Sequence, residues 1–307
     1  MARSGRAQRL ALAGLGALLL GGAWGLAGWR RTDGALVAAA RGQFTHAVVL
    51  ASELTPLGRV EQLALHNQRG EVAQALYRPP RTLAADYRVA VMYVGLKTER
   101  RVLELLPERP DLVVLVIQYP YTRPRTLLGK LRWIGDVRRA AADTVAGGML
   151  GLSFLETAEG LDLRRSVVVG TSLGSIFAAL HGALDERVPR VVLVHGGGDF
   201  LRLVPALARV WWEVPFGYAL AAGPFYGFDP VHYVGRIAPR ELILIGARND
   251  ERFPSASTLA LFERAGEPKR LLWTDSPHVR ARNQPLVDEL VGQIEAALSL
   301  GAASGQP

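Results

Sequence analysis

A serine framed by two glycines is the residue best placed to do chemistry in this sequence. Ser172 lies in GTSLG at 170–174, after the valine run 167–169 and before the apolar, helix-like segment 175–180. A strand, a sharp turn and a helix in this order lift the hydroxyl clear of a sheet, beside the unpaired amides that open the helix. We therefore predict Ser172 to be a nucleophile. The alternative interpretation is a glycine-rich turn without chemistry.

A serine hydroxyl is a weak nucleophile unless a base takes its proton and an acid orients that base. Both partners are expected in loops that follow later strands, in the chain order serine, acid, histidine. Asp250 follows the apolar run 241–245, and His278 follows the last predicted strand. We predict Asp250 as the acid and His278 as the base. Two other acids stay open as alternatives: Glu251 and Asp199.

The five other histidines are His46, His66, His181, His195 and His232. The first two precede the predicted core sheet, and the third falls in the middle of a predicted helix. The fourth ends a strand, and the fifth lies in a segment without strands. His278 is the histidine that follows the last predicted strand within a short loop, where the chain order places the base.

An oxyanion hole needs backbone amides that point at the developing charge of the substrate oxygen. One amide is predicted from Leu173, and the other from Leu96, in the loop after the predicted strand 88–94. The tract HGGG at 195–198 is similar to an oxyanion loop, but such a loop precedes the nucleophile, whereas this tract follows it. We interpret 195–198 as a flexible turn near the site.

Strands and helices alternate around these residues. Short alternating runs on both sides of 67–70 predict an antiparallel hairpin, and six later apolar runs predict buried strands with helical segments between several of them. One helix is predicted over 136–156, with Gly147 and Gly148 as a weak point. This alternation favours an α/β fold with an open, mostly parallel sheet and helices on both faces. The predicted sheet domain covers 59–300.

The stretch 199–238 breaks this rhythm because it contains no predicted strand. It is rich in large aromatic residues, and long insertions of this kind often cover a site. We interpret it as a helical insertion that either forms a lid over the site or packs on the sheet without covering the site.

The first 31 residues are predicted to form a targeting segment. The span 10–29 has no charged residue and, as a helix, matches the hydrocarbon thickness of a bilayer. It fits an uncleaved signal-anchor best, then a cleaved signal peptide, and least a buried core helix. The flanking arginines favour a cytoplasmic N-terminus, so the catalytic domain is expected on the periplasmic side of the membrane. There it would be either anchored by this segment or secreted after the segment is cleaved. Residues 32–58 are expected to be a helical or irregular connector.

The composition excludes several classes of chemistry. The chain has 307 residues and no cysteine, which rules out disulfides, thiolate metal sites and a cysteine nucleophile. The net charge is +8, and five of the arginines that contribute to it lie in the first 31 residues. There is no zinc-finger spacing and no dense basic stripe, so a nucleic-acid partner is not expected. The predicted chemistry needs neither a metal nor an organic cofactor.

Several of these motifs together resemble the α/β-hydrolase superfamily, especially its dienelactone-hydrolase-like and acetyl-esterase-like members. The resemblance rests on GTSLG at 170–174, FDP at 228–230, PRELI at 239–243, GARNDERFP at 246–254 and SPH at 276–278. It covers about 59–300 and implies the α/β-hydrolase fold with a catalytic Ser-His-Asp triad. The loop VGLK at 94–97 departs from the family, which usually has His-Gly there.

The predicted triad and the resemblance imply hydrolysis of an ester or related acyl bond through an acyl-enzyme. The expected substrate is a small-molecule or lipid acyl compound, with the membrane as a partner of the N-terminal helix. Two alternatives stay open. One is an acyltransferase or thioesterase with the same triad, and the other is a membrane-tethered binding protein that keeps the hydrolase scaffold without turnover.

Overall fold

A single nine-stranded sheet organises the part of the chain that the structure describes. The structure is a computed structural model that describes residues 34–303 except 81–86, 107–111, 122–126, 159–160 and 209. The strands are β1 (Phe44–Thr55), β2 (Gly58–Asn67), β3 (Gly70–Arg78), β4 (Arg88–Tyr93), β5 (Leu112–Ile117), β6 (Ser166–Thr171), β7 (Arg190–Val194), β8 (Glu241–Ala247) and β9 (Lys269–Thr274). Their order across the sheet is β1-β2-β3-β5-β4-β6-β7-β8-β9.

The type of strand pairing changes once across the sheet. The first three neighbouring pairs, which include the predicted hairpin of β2 and β3, are antiparallel. The other five pairs, from β5 to β9, are parallel. The mostly parallel sheet expected from the sequence is therefore confirmed. Because parallel strands end at the same edge, the loops after β4, β6, β7, β8 and β9 come together there.

Helices cover both faces of this sheet, as expected. Within the described residues they are α1 (34–41), α2 (Glu99–Leu105), α3 (Leu127–Glu156), α4 (Gly174–Leu184), α5 (Phe200–Leu207), α6 (Glu213–Ala222), α7 (Ser255–Arg264) and α8 (Gln284–Ala303). Side chains of α3 and α4 share one hydrophobic core with one face of the sheet, and α2 and α8 share a second core with the other face. Along β6, Val168 enters the first core, while Val167 and Val169 enter the second. A continuous apolar run is what a strand buried on both faces requires.

The prediction that 32–58 is a helical or irregular connector is wrong for residues 44–55. Residues 34–41 form α1, and β1 pairs with β2 along its whole length. The sheet therefore begins before residue 59. Most β1 side chains are exposed, Leu54 at 86%. An edge strand with so little burial shows no clear apolar period, and its backbone hydrogen bonds carry no sequence signal.

The helix predicted over 136–156 is present within α3, which runs from Leu127 to Glu156 and is not interrupted at Gly147 and Gly148, the predicted weak point. Its two central glycines allow close packing instead. A Cβ on Gly147 would lie 2.4 Å from the Ala73 Cβ, and one on Gly148 would lie 1.7 Å from the Tyr93 hydroxyl. Glycine is therefore required here by neighbours that are distant in the chain.

The predicted N-terminal hydrophobic helix at 10–29 lies outside the described residues. In the part of the chain that is described, no helix combines the length and the apolar character needed to cross a membrane. The signal-anchor and signal-peptide interpretations therefore stay predictions.

Candidate active site

Ser172 occupies the sharp turn between β6 and α4. Its backbone φ is 56°, in the left-handed region that non-glycine residues seldom adopt. The flanking glycines permit this close turn, because a Cβ on Gly170 would lie 2.5 Å from the Ala178 Cβ, and one on Gly174 would lie 2.1 Å from the Tyr93 carbonyl oxygen. The strand–turn–helix arrangement predicted from the sequence is thus present, with the serine at its apex.

His278 meets Ser172 at the carboxyl edge of the sheet. It lies in the loop between β9 and α8, and its side chain is 2% exposed. Its Nε2 is 2.7 Å from the Ser172 Oγ, which is hydrogen-bond distance. Two side chains separated by 106 positions in the chain are therefore in direct contact.

Asp250 holds the other side of the same imidazole. It follows β8, and its Oδ2 lies 2.8 Å from the His278 Nδ1. Its Oδ1 accepts hydrogen bonds from the backbone amides of Arg252 and Phe253, both at 2.8 Å. The Phe253 ring also stacks on the imidazole, with 5.7 Å between centroids. These contacts fix the orientation of both the carboxylate and the imidazole.

The two alternative acids do not reach the imidazole ring. Glu251 accepts a hydrogen bond from the backbone amide of His278 at 3.1 Å. It also accepts one from Arg280 at 2.6 Å, which lowers the pKa of Glu251 to about 2. Asp199 forms an ion pair with Arg202 at 2.7 Å, at the start of α5. Of the three candidate acids, the structure therefore brings Asp250 to the imidazole of His278.

A second buried histidine, His195, supports the loop that carries His278. It directly follows β7 and is 1% exposed. Its Nδ1 accepts a hydrogen bond from the Val279 amide at 3.0 Å, and its Nε2 lies 3.1 Å from the Thr274 Oγ1. An accepting Nδ1 requires a neutral ring with its proton on Nε2. Burial is the main cause that lowers the pKa of His195 to about 4, and His278 lowers it further. The nearby Asp250 partly opposes this shift.

Sequence reasoning left His195 as the end of a strand with no further role. One signal was available, because β7, the strand directly before His195, is parallel to β6 and next to it. Carboxyl ends of neighbouring parallel strands lie together, so any polar residue there faces the site. The contact with Val279 could not be read from the sequence, because it depends on the path of the loop after β9.

The tract 195–198 is near the site, as predicted, but it is tightly packed and not a flexible turn. A Cβ on Gly196 would lie 1.9 Å from the Ser175 Oγ, and one on Gly197 would lie 2.3 Å from the Ser257 Oγ. The Ser257 hydroxyl also donates to the Gly198 carbonyl at 2.5 Å. The glycines are explained by close packing against α4 and α7.

The two amides predicted for an oxyanion hole lie beside the turn at Ser172. Leu173 follows it directly, and Leu96 lies in the loop after β4, the strand that pairs with β6. The Thr98 amide and hydroxyl both donate to the Gly95 carbonyl, at 3.1 and 2.6 Å, which closes that loop. Among the described residues, no hydrogen bond uses the amide of Leu96 or Leu173.

A cavity of about 400 Å³ opens beside these groups. It lies between α2 and α8, and we call it the α2–α8 cavity. Its wall includes Ser172, His278, Leu96 and Leu173. A ligand in this cavity can therefore reach the hydroxyl, the imidazole and the loop after β4 at once.

One group of side chains has the composition of a metal site, since His195, Asp250 and His278 place one ligand atom each within 4.8 Å of the others. Each atom already has a hydrogen-bond partner. The imidazole nitrogens of His195 contact Val279 and Thr274, and those of His278 contact Ser172 and Asp250. The donor set therefore fits a hydrogen-bond network better than a metal ion, which would have to displace these contacts.

The insertion at 199–238 is helical in its described residues. It contains α5, α6 and the 3-10 helices Tyr226–Phe228, Pro230–His232 and Val234–Arg236. Asp229 joins the later part of the insertion to its start, because its carboxylate accepts hydrogen bonds from the amides of Asp199 at 2.9 Å and Phe200 at 2.6 Å. Trp211, between α5 and α6, is 84% exposed. The predicted helical character is confirmed, and the lid role stays a prediction.

The sheet order, the helices on both faces and the serine turn define the α/β-hydrolase fold. Solved structures agree. The chain superimposes on an acetyl xylan esterase from Paenibacillus sp. R4 with a TM-score of 0.64 and 18% identity, covering 88% of this chain and 92% of that chain. Acetyl xylan esterase 1 from Thermoanaerobacterium sp. has a TM-score of 0.63 at 14% identity, covering 87% of this chain and 94% of that chain.

A cold-adapted esterase from an Arctic intertidal metagenomic library has a TM-score of 0.54 at 20% identity, covering 78% of this chain and 96% of that chain. No protein-family model matches the chain, and no curated protein is significantly similar to it in sequence. The chain has the α/β-hydrolase fold, as the resemblance implied.

Proposed function

We propose that the protein is a serine hydrolase that cleaves an ester bond in a small molecule through an acyl-enzyme. The proposal is carried by one observation, the continuous line of hydrogen bonds from Ser172 through His278 to Asp250 at the wall of the α2–α8 cavity. Nucleophile, base and orienting acid at these distances are the arrangement that activates a hydroxyl. The named esterases among the structural neighbours support an ester as the bond that is cleaved.

In the proposed reaction the Ser172 Oγ attacks the ester carbonyl carbon while the His278 Nε2 takes the hydroxyl proton. Asp250 stabilises the imidazolium that forms. The amides of Leu173 and Leu96 donate to the oxyanion. The bond to the leaving alcohol breaks as His278 returns the proton to its oxygen. Water, deprotonated by the same imidazole, then attacks the acyl-enzyme, and the acid is released with Ser172 restored.

Substitution of the nucleophile tests this proposal. Ser172→Ala is expected to lower kcat/KM for p-nitrophenyl acetate by at least about 10⁴-fold, and to abolish labelling by a fluorophosphonate probe. Ser52→Ala, at an exposed position on β1, is the matched control and should behave like the parent. Hydrolysis by Ser172→Ala at the parent rate would refute the assignment. Product analysis with added alcohols or thiols distinguishes hydrolysis from acyl transfer.

We also propose that 10–29 anchors the protein in a membrane, with the catalytic domain on the periplasmic side. The support is the uncharged length of this span and the arginines on both sides of it. The test is the mass of the mature protein together with its extraction behaviour. An intact N-terminus in a membrane fraction that resists alkaline carbonate is expected, whereas a mature chain that begins after this span would support a cleaved signal peptide.

A further inference from the structure

Two cavities meet at Ser172. The first is the α2–α8 cavity, and the second, of about 700 Å³, is bounded by α5 and α6 of the insertion. We call the second the insertion cavity. Ser172 and Leu173 belong to the walls of both. A group bound at the serine hydroxyl therefore has room to extend in two directions.

The α2–α8 cavity is mainly apolar. Val102 from α2 faces it together with Val291 and Ile294 from α8. Its charged wall residues are Arg252 and Arg280, which are both exposed, and Arg280 is paired with Glu251. A wall of this kind favours an apolar group, because it offers few partners for buried polar atoms.

The insertion cavity is also mainly apolar, and its charged wall residues are Arg252 and Glu213. Its wall includes Leu203 from α5, Leu220 from α6 and Phe225. The rings of Trp212 and Phe216 form part of the same wall, although these residues are 62% and 61% exposed. Large apolar side chains at an exposed rim usually mark a place where an apolar ligand or surface binds.

The position of the base distinguishes the two cavities. His278 belongs to the wall of the α2–α8 cavity and is not among the wall residues of the insertion cavity. The leaving alcohol must receive its proton from the His278 Nε2, so the alcohol part of an ester has to lie on the side of the base. The acyl part, on the other side of the carbonyl carbon, then extends towards α5 and α6.

We propose that the substrate is an ester with an apolar chain on each side of the bond, the acyl chain in the insertion cavity and the alcohol chain in the α2–α8 cavity. This inference rests on the proposed function. A two-carbon acyl group would leave most of the insertion cavity unfilled. Each methylene that is moved from water into an apolar cavity improves binding by up to about fourfold, so longer chains should be the better substrates.

Two substrate series test the two cavities separately. In p-nitrophenyl esters the acyl chain grows from two to ten carbons while the leaving group is constant. In acetate esters of straight-chain alcohols the alcohol grows while the acyl group is constant, and acid release is followed by pH-stat. We expect kcat/KM to rise at least tenfold with chain length in both series, below the solubility limit of each ester.

Tryptophan substitutions assign the chains to the cavities. Leu220→Trp is expected to lower the ratio of kcat/KM for the decanoate to that for the acetate at least tenfold. Val291→Trp is expected to lower the ratio of kcat/KM for long-chain to that for short-chain alcohol esters by the same factor. Ala219→Trp and Ala296→Trp, at exposed positions on the same helices, are the matched controls and should keep the parent ratios. If Leu220→Trp does not fold, Leu207→Trp replaces it in the insertion cavity, and if Val291→Trp does not fold, Val102→Trp replaces it in the α2–α8 cavity.

The outcomes separate this inference from the proposed function. Hydrolysis that depends on Ser172 but is flat or falling with chain length in either series would leave the serine hydrolase standing and overturn the two-chain substrate. Exchanged effects of Leu220→Trp and Val291→Trp would overturn the assignment of the chains. No hydrolysis and no fluorophosphonate labelling of Ser172 would overturn the proposed function itself.

Discussion

The protein contains two buried histidines that each lie between a carboxylate and a hydroxyl. In the candidate active site, His278 contacts Asp250 at 2.8 Å and Ser172 at 2.7 Å. In the core, between α4 and β4, the Nδ1 of His181 is 2.9 Å from the Tyr93 hydroxyl. The side-chain chemistry of the two groups is similar, so their surroundings have to explain why we assign a reaction to only one of them.

The acid of the core group is engaged elsewhere. The Asp185 Oδ2 is 3.7 Å from the His181 Nε2, too long for a hydrogen bond. Arg187 donates to both carboxylate oxygens of Asp185, at 2.8 and 2.5 Å. Burial alone would raise the pKa of Asp185, but its interactions with Arg187 and His181 hold the pKa below the usual value. Asp185 therefore mainly balances the charge of Arg187.

The hydroxyl groups of Tyr93 and Ser172 differ even more in their surroundings. Tyr93 is fully buried, and burial raises its pKa well above the ordinary value. It is not a wall residue of either cavity at Ser172. Ser172 stands on a sharp turn where a substrate can reach it. The comparison teaches that a histidine–carboxylate pair marks a reactive site only where the third group meets a cavity and the acid has no competing cation.

After Ser172→Ala, the largest expected effect comes from Asp250 in the candidate active site. Asp250→Asn should lower kcat for p-nitrophenyl acetate by about 10⁴-fold, because an amide does not stabilise the imidazolium and favours the wrong tautomer of His278. The asparagine still offers an oxygen to the amides of Arg252 and Phe253, so the thermal unfolding midpoint should change little. Steady-state kinetics and calorimetry measure both. A rate loss below tenfold would contradict the role of Asp250.

The next largest effect is a loss of stability in acid. The pKa of His195 is about 4 in the folded protein and about 6.5 in an unfolded chain. Between these values the unfolded chain binds a proton that the folded protein does not, so the free energy of unfolding falls as the pH falls from 6.5 to 4, by roughly 3 kcal/mol at most. Urea unfolding at a series of pH values measures this slope.

His195→Asn is the variant that isolates this contribution. Asparagine tolerates the left-handed backbone at this position, where φ is 45°, and its side-chain oxygen can accept from the Val279 amide. The pH slope of the variant should be shallower than that of the parent, and the slope that is left includes His181, whose pKa burial also lowers. The exposed His46→Asn is the control. Equal slopes in parent and His195→Asn would argue against a neutral His195.

A smaller effect is expected in the core group, and on stability instead of rate. Asp185→Asn removes the charge that faces Arg187, which should lower the free energy of unfolding by about 2 kcal/mol. The rate of the folded enzyme should equal that of the parent, because neither residue lies at a cavity beside Ser172. Urea unfolding and active-site titration separate the two effects. A fall in kcat per titrated site would show that the two groups are coupled.

The smallest effect is expected at the alternative acid. Glu251→Gln keeps an oxygen for the His278 amide and loses only the ion pair with Arg280, so kcat/KM should fall less than about fivefold. The same assay as for Asp250→Asn measures it. A loss near that of Asp250→Asn would mean that Glu251 shares the orienting role.

Local patterns were enough to predict the serine turn and its partners. Ser172 is recognisable because a tight strand-to-helix turn needs glycines at fixed offsets, and those offsets are visible in the sequence. Asp250 and His278 could be selected because the carboxyl ends of parallel strands meet at one edge of a sheet. The helical character of 199–238 follows from the lack of any strand period there. Each of these inferences depends on short-range sterics or on a topological rule.

The remaining features depend on contacts between distant parts of the chain, and only the tertiary structure decided them. The edge strand β1 buries too few side chains to show a period, so its place in the sheet comes from backbone pairing with β2. The glycines of α3 look like helix breakers until Ala73 and Tyr93 are seen against them. The contacts of His195 and the two cavities form only where separate loops and helices come together. Sequence periodicity reports which face of an element is buried, whereas the partner that buries it is set by three-dimensional packing.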